Sequence, residues 1–263
     1  MALIYFLRHG ETDWNAVRRI QGHLDVPLND KGREQAARNG RALSEVIARP
    51  EDLDFVSSPL RRATETMEIL REQIGLPRDG YRVDARLKEV HIGDWQGELW
   101  NDLVARFPEA TAAFMRDRGT VAAPGAGAEN FAMLADRLMA WHRSVTRDTV
   151  VVSHGGPMRC LRAAILALSP AELVALDVPQ DKVLCIDGAE LDLTAARLSV
   201  SGIFRVAAVA SNDRMPPKHA LIAGGRTCRH QPCAWRLRPG FSRKTRQPNS
   251  RSCGVWPSSW QRC

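Results

Sequence analysis

No stretch of the 263 residues approaches the ~20 consecutive apolar residues that a membrane-spanning helix requires. Cysteine is scarce, six in the whole chain, which argues against a disulfide-framed scaffold. Collagen-like and coiled-coil patterns are missing as well. The opening residues Met1-Ala-Leu-Ile-Tyr-Phe-Leu7 lack a basic n-region and run straight into Arg8-His9, so a strand is expected there rather than a secretory leader. These absences lead to the expectation of a soluble, cytoplasmic protein without a membrane partner. What is present suits a folded core: 44% of the residues are hydrophobic and 25% charged, ordinary proportions for a globular domain.

Acid is nearly missing too, but only from one end. Residues 211–263 carry 11 Lys and Arg against the single acid Asp213, a net charge of +10, whereas residues 1–210 hold 26 bases and 29 acids, a net of −3. The same end holds four of the six cysteines (Cys228, Cys233, Cys253, Cys263) and three of the seven tryptophans (Trp235, Trp256, Trp260). From Arg214 onward no helical or strand period is sustained, apart from Ala220-Leu-Ile-Ala223. The chain therefore divides into a patterned domain over 1–210 and a basic Cys/Trp-rich tail over 211–263, expected to be disordered or a non-native extension. Two other readings of the tail stay open. One is a polyanion-binding arm, the only route by which nucleic acid enters as a partner. The other is a zinc site around Cys228, His230 and Cys233, whose Cys-x-His-x-x-Cys spacing is not a standard one.

Within 1–210, strand and helix patterns alternate. Strands are expected at Ala2–Leu7, Asp54–Ser57 and Thr149–Ser153, with a weak extended segment beginning at Arg82-Val83 and a late hairpin at Val183–Ile186 and Glu190–Leu193. Helical spacing runs over Lys31–Ile47, Leu60–Ile74, Leu99–Phe107, Glu109–Arg118, Phe131–Val145 and Gly156–Leu168. Interleaving of this kind predicts an α/β protein, a three-layer α/β/α sandwich with a mostly parallel mixed sheet flanked by helices. In such sheets, chemistry gathers where strands end and helices begin. Arg8-His9-Gly10, Ser57-Ser58 through Arg62, and His154-Gly155-Gly156 all fall at such junctions, and Lys88-Glu89-Val-His91 enters from a loop. Two imidazoles, two guanidinium groups and a carboxylate converging there would make a phosphoryl site that needs no metal.

Leu7-Arg8-His9-Gly10-Glu11-Thr12-Asp13-Trp14-Asn15 resembles the signature of the histidine phosphatase superfamily, the phosphoglycerate mutase-like proteins. The likeness continues through Gln21-Gly22-His23-Leu24-Asp25-Val26-Pro27-Leu28 and Lys31-Gly32. It resumes at Ser57-Ser58-Pro59-Leu60-Arg61-Arg62-Ala63 with Thr66, at Leu87-Lys88-Glu89 to Gly97, and at Ser153-His154-Gly155-Gly156. Arg-His-Gly alone would be a weak signal; four blocks in the right order, each after a predicted strand or loop, are a strong one. The resemblance covers residues 2–195 and implies a phosphoglycerate mutase-like fold. It implies His9 as the nucleophile that becomes phosphohistidine, with Arg8 and Arg62 as phosphate clamps. His154 would be a further donor to the transferring phosphoryl group. Glu89 would be the proton donor to the leaving oxygen and then the base that activates water. Asn15, Gln21 and Gly22 match family positions lining the phosphate pocket, and the N–H of Gly155, at a helix start, is an added candidate donor. Neither cofactor nor metal is implied.

Several rivals attach to these assignments. Arg61 stands beside Arg62, and the family spacing selects Arg62. His91, Asp94 and Glu11 compete with Glu89 for the proton-donor role. His23 and His142 are expected to be structural or exposed, Trp14, Trp95 and Trp100 to be core or cleft-wall residues, and Cys160 and Cys185 to be buried thiols. Within the family, the 65 positions from Glu89 to His154 resemble the shorter phosphatase branch, because mutases carry a longer closing insertion. The expected activity is metal-independent hydrolysis of a small phosphate monoester. The alternatives are a cofactor-dependent phosphoglycerate mutase and a non-catalytic phosphate-binding pseudoenzyme. Pro124-Gly-Ala-Gly-Ala-Glu129-Asn130 departs from the family's Pro-Gly-Gly-Glu-Ser by two small residues, which puts a specificity role for Glu129 in doubt. A homodimer stays open as an assembly, dimers being common among soluble enzymes.

Overall fold

Thr149-Val-Val-Val-Ser153 has a β-branched or small side chain at every position, and in the computed structural model all five residues are buried. A parallel strand covered on both faces needs this unbroken apolar run. The structure describes residues 2–187 and 190–195. In chain order the elements are β1 (Leu3–Arg8), α1 (Asp13–Ala16), α2 (Asp30–Ser44), β2 (Asp54–Ser57), α3 (Arg61–Gln73), β3 (Arg82–Val83), α4 (Trp100–Arg106), α5 (Pro108–Arg116), α6 (Phe131–Arg143), β4 (Thr149–Ser153), α7 (Gly155–Ile165), α8 (Pro170–Ala175), β5 (Lys182–Asp187) and β6 (Glu190–Ala195). Among the described residues the sheet has the order β3-β2-β4-β1-β5-β6. Its first four strands run parallel, whereas β5 and β6 run antiparallel to their neighbours.

Side chains alternate across each strand, and the two faces receive different helices. Leu7, Val150 and Val152 point to the layer where Leu43 of α2 and Met67 and Leu70 of α3 are buried. Phe6, one residue earlier on β1, meets Trp141 of α6 edge-on on the other face, with ring centroids 6.3 Å apart. The result is the three-layer α/β/α sandwich, a mixed and mostly parallel sheet between helical layers. Asn29 caps α2 by accepting from the Gly32 N–H, and Asn130 caps α6 by accepting from the Met133 N–H. Among the described residues, no helix is long and apolar enough to cross a membrane.

Boundaries differ from the sequence reading where local signals fade. The helix expected to reach Ile47 ends at Ser44, and Ile47 packs into the core from the turn that follows. The helix after β4 starts at Gly155 rather than Gly156. Helix α8, which no sustained periodicity predicts, carries a local signal, a Ser169/Glu172 capping box with proline at its start. Cys160 is buried, but Cys185 is only half-buried. The boundary expected at 210 and the segment 211–263, with Cys228, His230 and Cys233, lie outside the described residues.

Strand register positions the site. Leu7 pairs with Val152 and Arg8 with Ser153 on one side of β4, and Ser57 pairs with Val152 on the other. Both ladders continue one step past the strands: the His9 N–H donates to Ser153 O and the Ser58 N–H to Val152 O, each at 2.9 Å. His9, Ser58 and His154 therefore emerge together at the carboxyl edge of the sheet, where β1 and β4 send their helices to opposite faces. That crevice is where open α/β sheets bind ligands.

Candidate active site

His9 is 2% exposed. Its Nδ1 lies 2.7 Å from the carbonyl oxygen of Gly10, so Nδ1 carries the proton and Nε2 keeps the lone pair. Burial, then the nearby Arg62 and Arg8 charges, hold its pKa well below the usual 6.5, against the opposing pull of the Gly10 carbonyl. A neutral imidazole with one free nitrogen is what nucleophilic attack requires. Gly10 leaves no slack behind the ring. A Cβ at Gly10 would come within 2.2 Å of Gly32 O, and one at Gly32 within 2.0 Å of Glu11 O. The His9 loop therefore rests directly on the first turn of α2.

The two guanidinium groups are only partly committed. Arg62, 1% exposed, donates to Leu24 O and Gly22 O, both at 2.8 Å. Arg8 donates to Val178 O at 2.7 Å. The Nε atoms of both are buried and have no partner among the described residues. Burial pushes Arg62 down to about 10, which still leaves it protonated at neutral pH. Arg61 is exposed, so of the adjacent pair only Arg62 faces inward.

His154 is fully buried, and its ring centroid lies 5.0 Å from that of His9. Its Nε2 lies 2.7 Å from the Ser58 hydroxyl. With that hydroxyl donating, the proton of His154 sits on Nδ1, a buried atom with no partner among the described residues. Burial, then Arg62, His9 and Arg8, keep this second imidazole neutral as well. Gly155 opens α7, so its N–H belongs to the first helical turn, which has no intrahelical acceptor.

Glu89 arrives from the loop after β3. Its Oε1 accepts from the Val90 N–H at 2.9 Å and the Gly156 N–H at 3.1 Å. The Gly156 N–H also reaches Oε2, at 3.3 Å, so Oε1 accepts from two backbone donors and Oε2 only from the longer arm of a forked one. The same carboxylate favours the charged forms of both Arg8 and Arg62, which sets it on their cluster. Of its rivals, Asp94 is exposed and two are engaged elsewhere. Glu11 is tied to Lys31 at 2.7 Å and to Asn29 at 3.2 Å, and His91 Nδ1 accepts from the Gly93 N–H. His23 is half-buried, and its ring Nε2 lies 2.7 Å from the backbone oxygen of Glu89. His142 is also half-buried, in the last turn of α6.

The remaining candidates divide. Gln21 is buried with its Oε1 unpartnered among the described residues. The Asn15 Oδ1 accepts from Thr12 and, at 3.4 Å, from Gln180. Gly22 contributes a carbonyl that holds Arg62. Sequence reasoning missed three participants: Ser58 as the partner of His154, Gly156 as the donor to Glu89, and the segment 176–180. In that segment the carbonyls of Leu176, Asp177 and Val178 accept from Arg159, Arg162 and Arg8. Gln180 Nε2 then donates to His9 O at 3.1 Å. Ser58 and Gly156 stood inside the recognised blocks, but no local pattern marks 176–180. Trp95 is a core residue, edge-on to Trp100 and Phe114.

The sequence profile described as "Histidine phosphatase superfamily (branch 1)" matches residues 4–199. A glucosyl-3-phosphoglycerate phosphatase of Mycolicibacterium vanbaalenii is 41% identical over 177 residues, covering 63% of this chain and 74% of that one. A phosphoglycerate mutase-like protein 4 of Arabidopsis thaliana is 40% identical over 166 residues, covering 61% and 69%. Among solved structures, a mycobacterial glucosyl-3-phosphoglycerate phosphatase in complex with VO3 superposes with a TM-score of 0.60 at 33% identity, covering 74% of this chain and 98% of that one. Together with the paired imidazoles at the sheet edge, these matches make the chain a member of the histidine phosphatase superfamily, branch 1.

Proposed function

We propose that the protein is a metal-independent phosphatase for small phosphate monoesters, working through a phosphohistidine on His9. One observation carries this reading: Arg8 Nε, Arg62 Nε and His154 Nδ1 are buried and unpartnered among the described residues, around an imidazole with a free Nε2. Orphaned buried donors cost about 1–3 kcal/mol each unless something accepts from them, and a phosphoryl group has three oxygens to do so. In the first step the Nε2 lone pair of His9 forms a P–N bond. The ester P–O bond breaks, and its electron pair leaves on the alkoxide, which takes a proton from Glu89. In the second step the Glu89 carboxylate removes a proton from water as that oxygen attacks phosphorus. The P–N electrons return to Nε2, releasing inorganic phosphate. Arg8, Arg62 and His154 stabilise the charge on the equatorial oxygens throughout. Asn15, Gln21, Gly22 and the Gly155 N–H complete the pocket wall in this reading. The names of the relatives support phosphatase chemistry on small phosphorylated metabolites.

Full-length protein is expected to hydrolyse p-nitrophenyl phosphate in EDTA, and acid quenching is expected to trap phosphate on His9. Full activity in His9→Ala would overturn the mechanism. The mutase reading, which the phosphoglycerate mutase-like relative keeps in view, predicts interconversion of phosphoglycerates faster than hydrolysis when a bisphosphate primer is supplied. A pseudoenzyme would bind phosphate without turnover.

A further inference from the structure

Arg137, on α6, spends every one of its donors. Its Nε and Nη2 grip the Glu129 carboxylate at 2.8 and 2.9 Å. Nη1 donates to Arg86 O at 2.6 Å and to Lys88 O at 2.7 Å, and Nη2 to Glu89 O at 2.8 Å. A guanidinium has five N–H bonds in a fixed fork, and here five acceptors take them all. Arg137 therefore has nothing left for a substrate oxygen. Glu129 extends the same brace past the acid: its Oε2 accepts from the His91 N–H, and its own N–H donates to His91 O. The chain is thus gripped at 86, 88, 89 and 91, and the residue in the middle is the one whose carboxyl lies under the Gly156 N–H. Side-chain exposure is 19% for Arg137 and 16% for Glu129, so solvent screens the pair little.

We propose that Arg137, with Glu129 as its counterion, is a positioning residue for proton transfer: it fixes the backbone of Glu89 so that the carboxyl meets the leaving oxygen. The inference rests on the reading of Glu89 as the proton donor. A loop carrying a general acid needs such fixing, because a misplacement of ~1 Å can cost on the order of a hundredfold in rate. A conserved-charge replacement does not reproduce the brace, since lysine has three donors on a point charge and no planar fork.

The test compares an aryl ester, p-nitrophenyl phosphate, with an alkyl ester, glycerol 2-phosphate, in the full-length protein. An aryl oxide leaves with little help, whereas an alkoxide needs the proton. Glu89→Gln should therefore lose far more kcat on the alkyl than on the aryl ester. Arg137→Gln should show the same selective loss, on the order of tenfold between the two esters, carried by kcat and not by KM. Arg137→Lys should not rescue it. An equal fall on both esters, with Glu89→Gln still selective, overturns the positioning role alone. Lack of selectivity in Glu89→Gln overturns the assignment of Glu89 and this inference with it. Should Arg137→Gln fail to fold, Glu129→Gln carries the same comparison with the same two outcomes.

Discussion

A methyl group on Gly156 would sit 2.3 Å from Glu89 Oε1, closer than real carbon–oxygen contacts allow. Either the carboxyl or the first turn of α7 must move, and the carboxyl is the freer of the two. Gly156→Ala should therefore lower kcat on the order of a hundredfold, the low end of what a positioned acid contributes, while leaving the urea midpoint nearly unchanged. A normal rate in that variant would mean that the Glu89 carboxyl is not held by this contact. At this scale the sequence was legible where residue type restricts the chemistry. His9, Arg62, Glu89 and His154 could be singled out because they stand in the blocks that resemble the family signature, and because few side chains suit the proposed roles of attacking, clamping or protonating a phosphoryl group. Ser58 and Gly156 were not, because a hydroxyl and a backbone N–H act through position, and position comes only with the fold. His23 shows the same limit: a half-buried imidazole holding the Glu89 carbonyl looks, in sequence, like any other histidine.

Packing between α2 and α3 shows how an element far from the chemistry supports it. Leu70 and Met67 are fully buried on α3 beneath the helix on which the His9 loop rests. Leu70→Ala should cost about 2–5 kcal/mol, the usual range for deleting a buried leucine side chain and leaving a cavity. Denaturant melts would read this directly, and a cost under about 1 kcal/mol would show that the site can collapse around the loss. Elements with a single dominant signal were legible to the residue. Thr149–Ser153 reads as a strand because nothing in it tolerates solvent, and Asp54–Ser57 is bounded by charge on one side and proline on the other. The ends of α2 and α7 were less legible, since apolar residues such as Ile47 keep the helical spacing after the helix has stopped. The segment 176–180 has no periodicity at all, and its partners lie up to 171 positions away.

For the whole molecule, the two neutral imidazoles at the sheet edge set a pH dependence. Both have folded pKa values held below 6.5, first by burial and then by neighbouring positive charge. Below about pH 6.5 the unfolded chain takes up protons that the folded one refuses, so stability is lost as pH falls through that value towards the folded pKa values. Each contributes up to about 1.4 kcal/mol per pH unit in that window, and His23 and His142, also lowered by burial, add in the same sense. Urea melts at pH 7.5 and 5.5 should differ by more than the carboxylates, which titrate lower, can explain. His154→Gln should flatten the difference; an unchanged slope would mean that His154 is protonated in the folded state. The tie between Arg8 and Val178, 170 positions apart, has a consequence in time. During synthesis the Arg8-His9 segment leaves the ribosome 170 positions ahead of the Val178 carbonyl that aims Arg8 and 171 ahead of the Gln180 amide that steadies His9. Under the proposed mechanism, a nascent chain halted before that point holds the imidazole without the contacts that aim it, so turnover is expected only once residue 180 has been made.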